Sequence, residues 1–305
     1  MPATPTTPVR GIQPHPPAAL KVGLQIARAL TRAMGPARYP LADALGMAGY
    51  ALAGQRRRNA ALNHRRLEPG IAMAEARRRA RRSFRGFARN GIDFVWACGM
   101  GAEEAARRSD VPGGREESGL VRDAGTGGIF ALTHFGNWDM AAKIAFSMRL
   151  PVTTVMATTG PRAITDLVIW ARHANQMEVY RAEHAALGLI RAIKRGRFAA
   201  ILADLPESGP TVVVDYCGGP VPFSTVPAWL SLRTGAPIFP TACWRNEHGR
   251  YQLWPMGPLV LEEGDDERSV MQKVASTLEP MVRRFPEQWF PFRQFYADGA
   301  GGAGA

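Results

Sequence analysis

The residues best placed to do chemistry are His134 and Asp139, five positions apart in the string HFGNWD. His134 ends a short apolar run of strand type, and Asp139 falls in the first turn of the helix expected to follow. A turn through Gly136 would bring the carboxylate back onto the imidazole. Asp139 is then expected to hold one ring N–H and fix the tautomer, so that the other ring nitrogen takes a proton. The pattern predicts a general base, although a structural hydrogen-bonding histidine stays open on spacing alone.

The elements that must position this pair follow from the hydrophobic patterns after residue 128. Short apolar runs predict strands at 129–133, 152–156, 179–180, 199–203, 212–216, 238–244 and 251–254. Helical periodicity predicts helices at 163–176, 185–195, 226–234 and 268–284. Strands that alternate with helices indicate an α/β fold with a central, mainly parallel sheet flanked by helices and preceded by a helical N-terminal extension. In open sheets of this kind ligands bind at the carboxyl ends of strands, so His134 lies where a site is expected.

The N-terminal part of the chain is predicted to begin with an amphipathic helix. From residue 18 to 34, apolar side chains recur at helical spacing with cations between them, which is typical of such a helix. It either packs on the rest of the domain or lies in a membrane interface with its cations on lipid phosphates. The two roles are compatible, and both alternatives stay open.

Residues 56–89 are the most basic stretch, with twelve arginines against Glu68 and Glu75. A line of side chains at helical spacing within and after it predicts core packing: Phe84, Phe87, Gly91, Phe94, Val95 and Cys98. The arginines are expected to form a solvated cationic face, because unpaired charges are too costly to bury. Each one near an anionic bilayer contributes roughly 1 kcal/mol to binding, which favours anionic membrane lipids as partners. Nucleic acid is the weaker alternative and is not expected, because no helix-turn-helix, zinc-finger or RRM-like signature occurs.

Composition bounds the class of protein. The chain has 305 residues, 46% of them apolar, a net charge of +12 and three scattered cysteines, which excludes a disulfide-stapled miniprotein and a disordered chain. The chain contains no run of about 18 apolar residues, so no transmembrane helix is expected. Its Pro-rich start lacks the apolar core that a signal peptide has. We expect disordered ends at 1–17 and 299–305 around one domain, 18–298, with a basic helical part (18–106) and an α/β part (129–298).

The string ALTHFGNWDMAA resembles the HFGNWE/D block of the lipid A biosynthesis acyltransferases and the related phosphatidylinositol mannoside acyltransferases, within the glycerolipid acyltransferase superfamily and its HX4D motif. The segments LRTGAPIFP at 232–240 and PEQWFPFRQF at 286–295 resemble further features of that family. The resemblance implies a glycerolipid-acyltransferase-like fold with His134 as the base and Asp139 as the carboxylate that orients it. By the same resemblance the candidate substrate-binding residues are Asn137, Arg172 and Asp204.

The activity that the resemblance implies is acyl transfer (EC 2.3.1.-). A fatty acyl group would move from acyl-CoA or acyl carrier protein to a hydroxyl or amine of a lipid or glycolipid acceptor, with no covalent acyl-enzyme. Because a thioester is already activated, no metal or other cofactor is expected. The implied location is peripheral, on the cytoplasmic face of the plasma (inner) membrane.

One departure from the family pattern concerns the segment after Asp204. Family members usually carry basic residues there, whereas this chain has no Lys or Arg between Arg197 and Arg233. If those cations normally meet the anionic head of the acceptor, the acceptor here is expected to be less anionic or held differently.

Two other functions stay compatible with the residues. A cysteine acyl-enzyme would use Cys217, whose DYCGG context predicts a turn. A non-catalytic protein that binds anionic membranes or nucleic acid would account for the arginines and leave HFGNWD as a structural turn. Loss of acyl transfer in His134→Ala, with folding and lipid binding kept, would favour the enzyme over the binding protein.

Overall fold

The computed structural model describes residues 10–111, 127–157, 160–182 and 185–297. Its helices are α1 (Ala18–Ala33), α2 (Arg38–Leu52), α3 (Gly54–Leu67), α4 (Met73–Ala97), α5 (Ala102–Arg107), α6 (Trp138–Ser147), α7 (Arg162–Ala174), α8 (Ala185–Lys194), α9 (Val226–Thr234) and α10 (Glu267–Arg284). Its strands are β1 (Ser109–Asp110), β2 (Ile129–Leu132), β3 (Val152–Met156), β4 (Glu178–Arg181), β5 (Phe198–Leu202), β6 (Thr211–Tyr216), β7 (Gly219–Ser224), β8 (Ile238–Arg245) and β9 (Tyr251–Pro255).

Seven of these strands form one sheet in the order β1-β9-β8-β2-β5-β3-β4. The pairs among β8, β2, β5, β3 and β4 are all parallel, while β9 runs antiparallel to β8. Strands β6 and β7 pair separately as an antiparallel hairpin. The predicted α/β fold with a mainly parallel central sheet is therefore confirmed, and β2 lies at its centre.

The central strand faces two hydrophobic cores, because successive side chains of a strand point to opposite faces. Phe130 and Leu132 pack with Met140 and Ile144 of α6 on one face. Ile129 and Ala131 belong to the core on the other face, which α8, α9 and α10 cover. Both faces of β2 are thus buried, and the carboxyl end of the strand opens to the surface between the two layers.

The N-terminal region consists of α1 to α4, with α4 packed against the other three helices. Arg38 of α2 donates from Nε to Oδ1 of Asp93 in α4 at 3.2 Å, and both side chains are buried. His64 of α3 lies 2.9 Å from the hydroxyl of Ser83 in α4. Helix α2 is not separately predicted from the sequence because RYPLADALGMAGYAL is apolar on most sides and shows no clear stripe.

The solvated cationic face expected for residues 56–89 is confirmed. None of the twelve arginines is buried, and the eight that are exposed are Arg56, Arg58, Arg65, Arg77, Arg78, Arg81, Arg82 and Arg85. Phe84 of the predicted apolar line is buried, whereas Phe87 is 47% exposed. The expectation that Phe87 is a core residue is wrong, because its position on α4 brings it to the rim of a cavity described below.

The predicted disordered start needs a correction within its described part. Gly11 forms an isolated bridge with Val179 of β4, and the N–H of Ile12 donates to the Val179 carbonyl at 2.9 Å. A Cβ on Gly11 would lie 2.2 Å from that carbonyl oxygen, so the close approach requires glycine. The other segments predicted to be disordered, residues 1–9 and 299–305, lie outside the described residues.

Candidate active site

Two parallel neighbours in the sheet place His134 beside Asp204. Strands β2 and β5 pair in a register that sets Leu132 opposite Leu202. Residues two positions beyond each strand end therefore lie at the same level along the sheet, and these are His134 and Asp204. The carboxyl edge thus brings an imidazole and a carboxylate together from segments seventy residues apart in sequence.

Asp204 holds both the backbone and the ring of His134. Its two carboxylate oxygens accept the N–H of His134 at 3.0 and 2.9 Å, and Oδ1 lies 2.8 Å from Nδ1 of the ring. A carboxylate can only accept, so Nδ1 carries the proton and Nε2 carries the lone pair. Asp204 is 1% exposed, whereas the His134 side chain is 27% exposed. The arrangement presents a basic Nε2 at the surface and fixes its tautomer from below.

The expected pairing of His134 with Asp139 is wrong. Asp139 lies in the first turn of α6, and its carboxylate accepts from Nε and Nη2 of Arg172 at 2.9 and 3.3 Å. Arg172 comes from the last turn of α7, so this ion pair joins two helices beside the site. Both side chains line the same cavity as His134. Whether Arg172 also contacts a substrate stays a prediction.

The roles expected for Asn137 and Asp204 also change. Asn137 caps α6 by accepting the N–H of Met140 at 3.0 Å, and its amide donates to the hydroxyl of Tyr251 at 3.2 Å. It is 3% exposed, and both ends of its amide have protein partners, so the structure corrects the expectation that it binds substrate. Asp204 is likewise engaged by the backbone N–H and the ring of His134.

A buried polar network behind Asn137 was not found from the sequence. The hydroxyl of Tyr251 donates to Asp93, which also accepts from Arg38 and from the hydroxyl of Tyr39. Burial, followed by the charge of Asp93, raises the pKa of Tyr251 well above its ordinary value. The network ties the cap of α6 to the N-terminal helices. Its members stand far apart along the chain and share no motif, so only the tertiary structure reveals them.

The loop 134–137 is held in place by backbone bonds to late segments of the chain. The N–H of Gly136 donates to the Gln288 carbonyl at 2.7 Å, and the N–H of Phe290 donates to the His134 carbonyl at 3.1 Å. Gly136 has φ +62°, and a Cβ there would lie 1.8 Å from the Cys243 carbonyl oxygen. Only glycine fits this position.

A cavity of about 770 Å³ opens at His134, a size usual for small-molecule sites. One branch runs back along β2 past Leu132 to Phe130, about 13 Å from His134 at the usual rise per strand residue. Alanines of α6 leave room for it and line its wall: Ala141, Ala142 and Ala145. Apolar side chains of this kind are suited to line the site of a hydrocarbon chain.

The mouth of the cavity is more polar than its interior. Arg56, Glu207 and Arg293 line it together with Phe87, whose ring packs on Phe290 at 5.5 Å. The lining includes Phe130 and Trp138 but neither Phe146 nor Trp170.

The alternative nucleophile Cys217 is poorly suited to form an acyl-enzyme. It is fully buried, and burial raises the pKa of its thiol well above the ordinary value. A thiolate, the reactive form, is therefore disfavoured. Among the residues that the structure describes, no three His, Cys, Asp or Glu side chains gather as metal ligands.

The outer surfaces of α1 and α2 carry exposed apolar side chains in rows. Val22, Ile26, Leu30 and Met34 follow one another at intervals of four along α1, each 36–59% exposed. Leu41, Leu45 and Leu52 continue the feature on α2. These seven residues are called the apolar rows below. Within the described ranges no helix is long and apolar enough to cross a membrane.

Comparison with known proteins places the chain in a family. The family model described as bacterial lipid A biosynthesis acyltransferase matches residues 20–296. The chain is 28% identical over 206 residues to phosphatidylinositol mannoside acyltransferase of Mycobacterium tuberculosis (strain CDC 1551 / Oshkosh), covering 65% of this chain and 64% of the relative. It is 29% identical over 185 residues to the protein of that name from Mycolicibacterium smegmatis (strain ATCC 700084 / mc(2)155), covering 58% and 59%. The matched part thus spans less than two thirds of the length of these relatives.

Proposed function

Since the chain belongs to the bacterial lipid A biosynthesis acyltransferase family, we propose that it transfers a fatty acyl group from a thioester donor to a lipid or glycolipid acceptor. The observation that carries the proposal is the His134–Asp204 pair at the mouth of an apolar cavity. A fixed imidazole supplies the base, and the cavity supplies a place for the acyl chain beside it.

The mechanism begins with the lone pair on Nε2 of His134. This nitrogen removes the proton of the acceptor hydroxyl or amine as its oxygen or nitrogen attacks the thioester carbonyl carbon. The tetrahedral intermediate then collapses, the carbon–sulfur bond breaks, and the imidazolium returns the proton to the leaving thiolate. The buried carboxylate of Asp204 stabilises the transient imidazolium, and base catalysis of this kind contributes typically 10²–10⁴-fold.

The apolar branch of the cavity is the proposed acyl-chain site. Leu132 and Phe130 lie on the same face of β2 as His134, so a chain laid along them leaves its carbonyl near Nε2. The Asp139–Arg172 ion pair fixes the start of α6 against α7 and so keeps the alanine-lined wall in place. Positioning of two bound substrates then supplies much of the remaining acceleration.

Membrane association is proposed to occur through the apolar rows of α1 and α2 and the neighbouring arginines. Apolar side chains enter the acyl boundary, while cations stay at the level of lipid phosphates. Exposed arginines elsewhere on α3 and α4, such as Arg58, Arg77 and Arg78, add positive charge that attracts anionic lipid. Binding to anionic vesicles should therefore fall steeply between low and high salt, and binding that is unchanged by salt would contradict the electrostatic part of this account.

The acceptor is proposed to be an amphiphilic lipid or glycolipid. The relatives named above are phosphatidylinositol mannoside acyltransferases, which makes a glycolipid hydroxyl the first acceptor to test. Glu207 and Ser208 line the mouth of the cavity just after Asp204, in the segment without cations. An acceptor with a less anionic head at this point fits these residues.

The experiment that tests the proposal is thioester turnover by the purified protein. Free thiol released from acyl-CoA and from acyl carrier protein is measured for the native protein and for His134→Ala, with and without a lipid extract. We expect release that depends on His134 and increases with the extract, and mass spectrometry of the product then identifies the acceptor.

A matched variant guards this test against unfolding. His173→Ala replaces another partly buried histidine, on α7, that does not line the cavity and should keep turnover. No thiol release from either donor by folded, vesicle-bound native protein would sink the proposal and favour a binding protein with the same fold.

A further inference from the structure

A second cavity, of about 670 Å³, lies on the other side of the loop that carries His134. Its cationic side chains are Arg82, Arg85 and Arg89 of α4, Arg245 at the end of β8, and Arg284 at the end of α10. We call this cavity the arginine cleft. The described site and mechanism make no use of it.

Most of the positive charge in the arginine cleft is not neutralised by the protein. Arg82, Arg85 and Arg284 are exposed and form no ion pair within the part of the chain that the structure describes. Arg89 is paired with Asp43, which lies outside the cleft lining. Three unpaired guanidinium groups that converge on one concavity are suited to bind phosphate, since guanidinium donors match phosphate oxygens.

A buried donor inside the cleft also lacks a partner. Nη1 of Arg245 is inaccessible to solvent and makes no hydrogen bond, and its distance to the nearest carboxylate oxygen, on Asp93, is 3.6 Å. Of the other carboxylates in the lining, Glu247 is 87% exposed and Glu287 lies at the rim. Because solvent does not reach Nη1, Arg245 contributes positive charge beneath the cleft rather than a contact from this nitrogen to a ligand.

The cleft also offers aromatic surface and shares one wall residue, Phe290, with the catalytic cavity. Trp244 and Phe285 in its lining stack on each other at 5.7 Å between ring centres. Phe290 lines both cavities, and its ring lies 6.2 Å from that of Trp138, which lies 5.3 Å from the ring of His134. One elongated ligand that passes Phe290 could therefore have its reactive end at His134 and its anionic end among the arginines.

We propose that the arginine cleft binds the phosphorylated nucleotide end of a coenzyme A thioester, so that the donor is acyl-CoA. The inference rests on the proposed function for the donor's acyl end. Arg82, Arg85 and Arg284 donate to the phosphates, Arg245 adds positive charge behind them, and Phe285 supplies a face for the base. A recessed cavity of this volume suits a small molecule, whereas a carrier protein docks on a broad surface and a bilayer cannot enter a recess.

The first test measures binding without catalysis. Adenosine 3′,5′-bisphosphate is titrated by calorimetry into the native protein, the double variant R82Q/R85Q, and the matched variant R77Q/R78Q. Arg77 and Arg78 are exposed on the same helix, change the charge equally and lie outside the cleft. We expect the affinity of R82Q/R85Q to fall at least tenfold, because two charge-assisted bonds to phosphate are lost, and that of R77Q/R78Q to be unchanged.

The second test divides the donor. The KM for acyl-CoA should rise at least tenfold in R82Q/R85Q, while the KM for acyl-pantetheine, which has no nucleotide, and kcat with either donor stay as in the native protein. An equal rise of the KM for acyl-CoA in R82Q/R85Q and in R77Q/R78Q would overturn the proposal in favour of general surface charge. A loss confined to acyl carrier protein, or to binding of phosphatidylglycerol vesicles, would overturn it in favour of a protein or membrane contact.

The two tests separate this inference from the proposed function. Nucleotide binding that depends on Arg82 and Arg85 supports the cleft even if no acyl transfer is found. Acyl transfer that depends on His134 but occurs without nucleotide binding overturns the cleft and leaves the proposed function standing.

Discussion

Polar and apolar side chains are arranged in opposite ways at the carboxyl edge of the sheet and on the first two helices. At the edge the charged groups of the site are paired, as in His134–Asp204 and Asp139–Arg172, and apolar groups line an interior cavity. On α1 and α2 the apolar rows point outward, while Arg38 is buried against Asp93. Exposed apolar side chains are ordinary singly, whereas a contiguous row of them marks an interaction surface.

The difference shows what each region is built to meet. A paired and buried charge keeps one geometry, which a base needs when it must face a substrate within hydrogen-bond reach. An exposed apolar row gains free energy only when another apolar phase covers it. The edge is therefore complete by itself, whereas the apolar rows of α1 and α2 fit the membrane contact proposed above.

The largest expected effect comes from uncoupling the carboxylate from the base. Asp204→Asn leaves the shape but supplies a neutral amide, so Nδ1 no longer faces a charge and the tautomer of His134 is no longer fixed. We expect kcat to fall on the order of 10²–10⁴-fold, measured by thiol release. Asp139→Asn is the comparison, since it weakens only the pair with Arg172. An Asp139→Asn loss as large as that of Asp204→Asn would contradict the assignment of the orienting carboxylate.

The second effect concerns acid stability, because the N-terminal helices contain a buried histidine with no charged partner. Burial lowers the pKa of His64 to about 3, whereas an unfolded histidine has a pKa near 6.5. The unfolded state binds more protons between these values, so stability should fall by about 1.4 kcal/mol per pH unit as pH drops from about 6.5 toward 3. Urea unfolding from pH 7 to pH 4.5 measures this loss.

His64→Gln provides the control for acid stability. Its amide can still reach the hydroxyl of Ser83 but does not titrate. The slope of stability against pH should be shallower in this variant than in the native protein over the same range. Identical slopes would show that other groups govern acid unfolding.

The third effect tests the apolar rows. Ile26→Glu with Leu30→Glu removes two apolar side chains from the membrane-facing row, each worth roughly 1.5–3 kcal/mol when buried. Partition onto anionic vesicles should fall about a hundredfold, as measured by sedimentation with the vesicles. Leu232→Glu with Val260→Glu changes two exposed apolar residues elsewhere and should leave partition nearly unchanged. If both double variants lose vesicle binding equally, the added negative charge alone accounts for the loss.

The smallest expected effect lies beside the site, where one buried cation is not matched by an anion. Lys143 is 2% exposed, donates to Asn175 at 2.7 Å, and has its pKa lowered to about 8 by burial. Its unfolded state binds more protons between pH 8 and about 10.4, so stability should rise with pH in that window. Lys143→Met should stabilise the protein by roughly 1–3 kcal/mol at pH 7, with a smaller gain at pH 9.5. A gain in the free energy of unfolding that is equal at pH 7 and pH 9.5 would show that the titration of Lys143 does not cause it.

Much of the fold could be predicted because the strands of the sheet are short, apolar and separated by periodic helices. The position of His134 at a carboxyl edge follows from the same pattern. Its partner could not be predicted, because spacing favours the near carboxylate of Asp139, while strand order decides which distant residue lies alongside. Asp204 also ends a predicted strand, 199–203, and this was the available signal. Only the adjacency of β2 and β5 turns that signal into a pair.

The bonds from Gln288 and Phe290 to the loop 134–137 have a consequence for biosynthesis. A ribosome delivers His134 long before it delivers the segment that fastens the loop. At about 5–20 residues per second, a nascent chain spends on the order of ten seconds with the histidine made and its clamp still missing. The base is therefore set only when nearly all of the described chain has emerged, and a polypeptide that stalls before Gln288 carries the motif without the alignment that gives it chemical use.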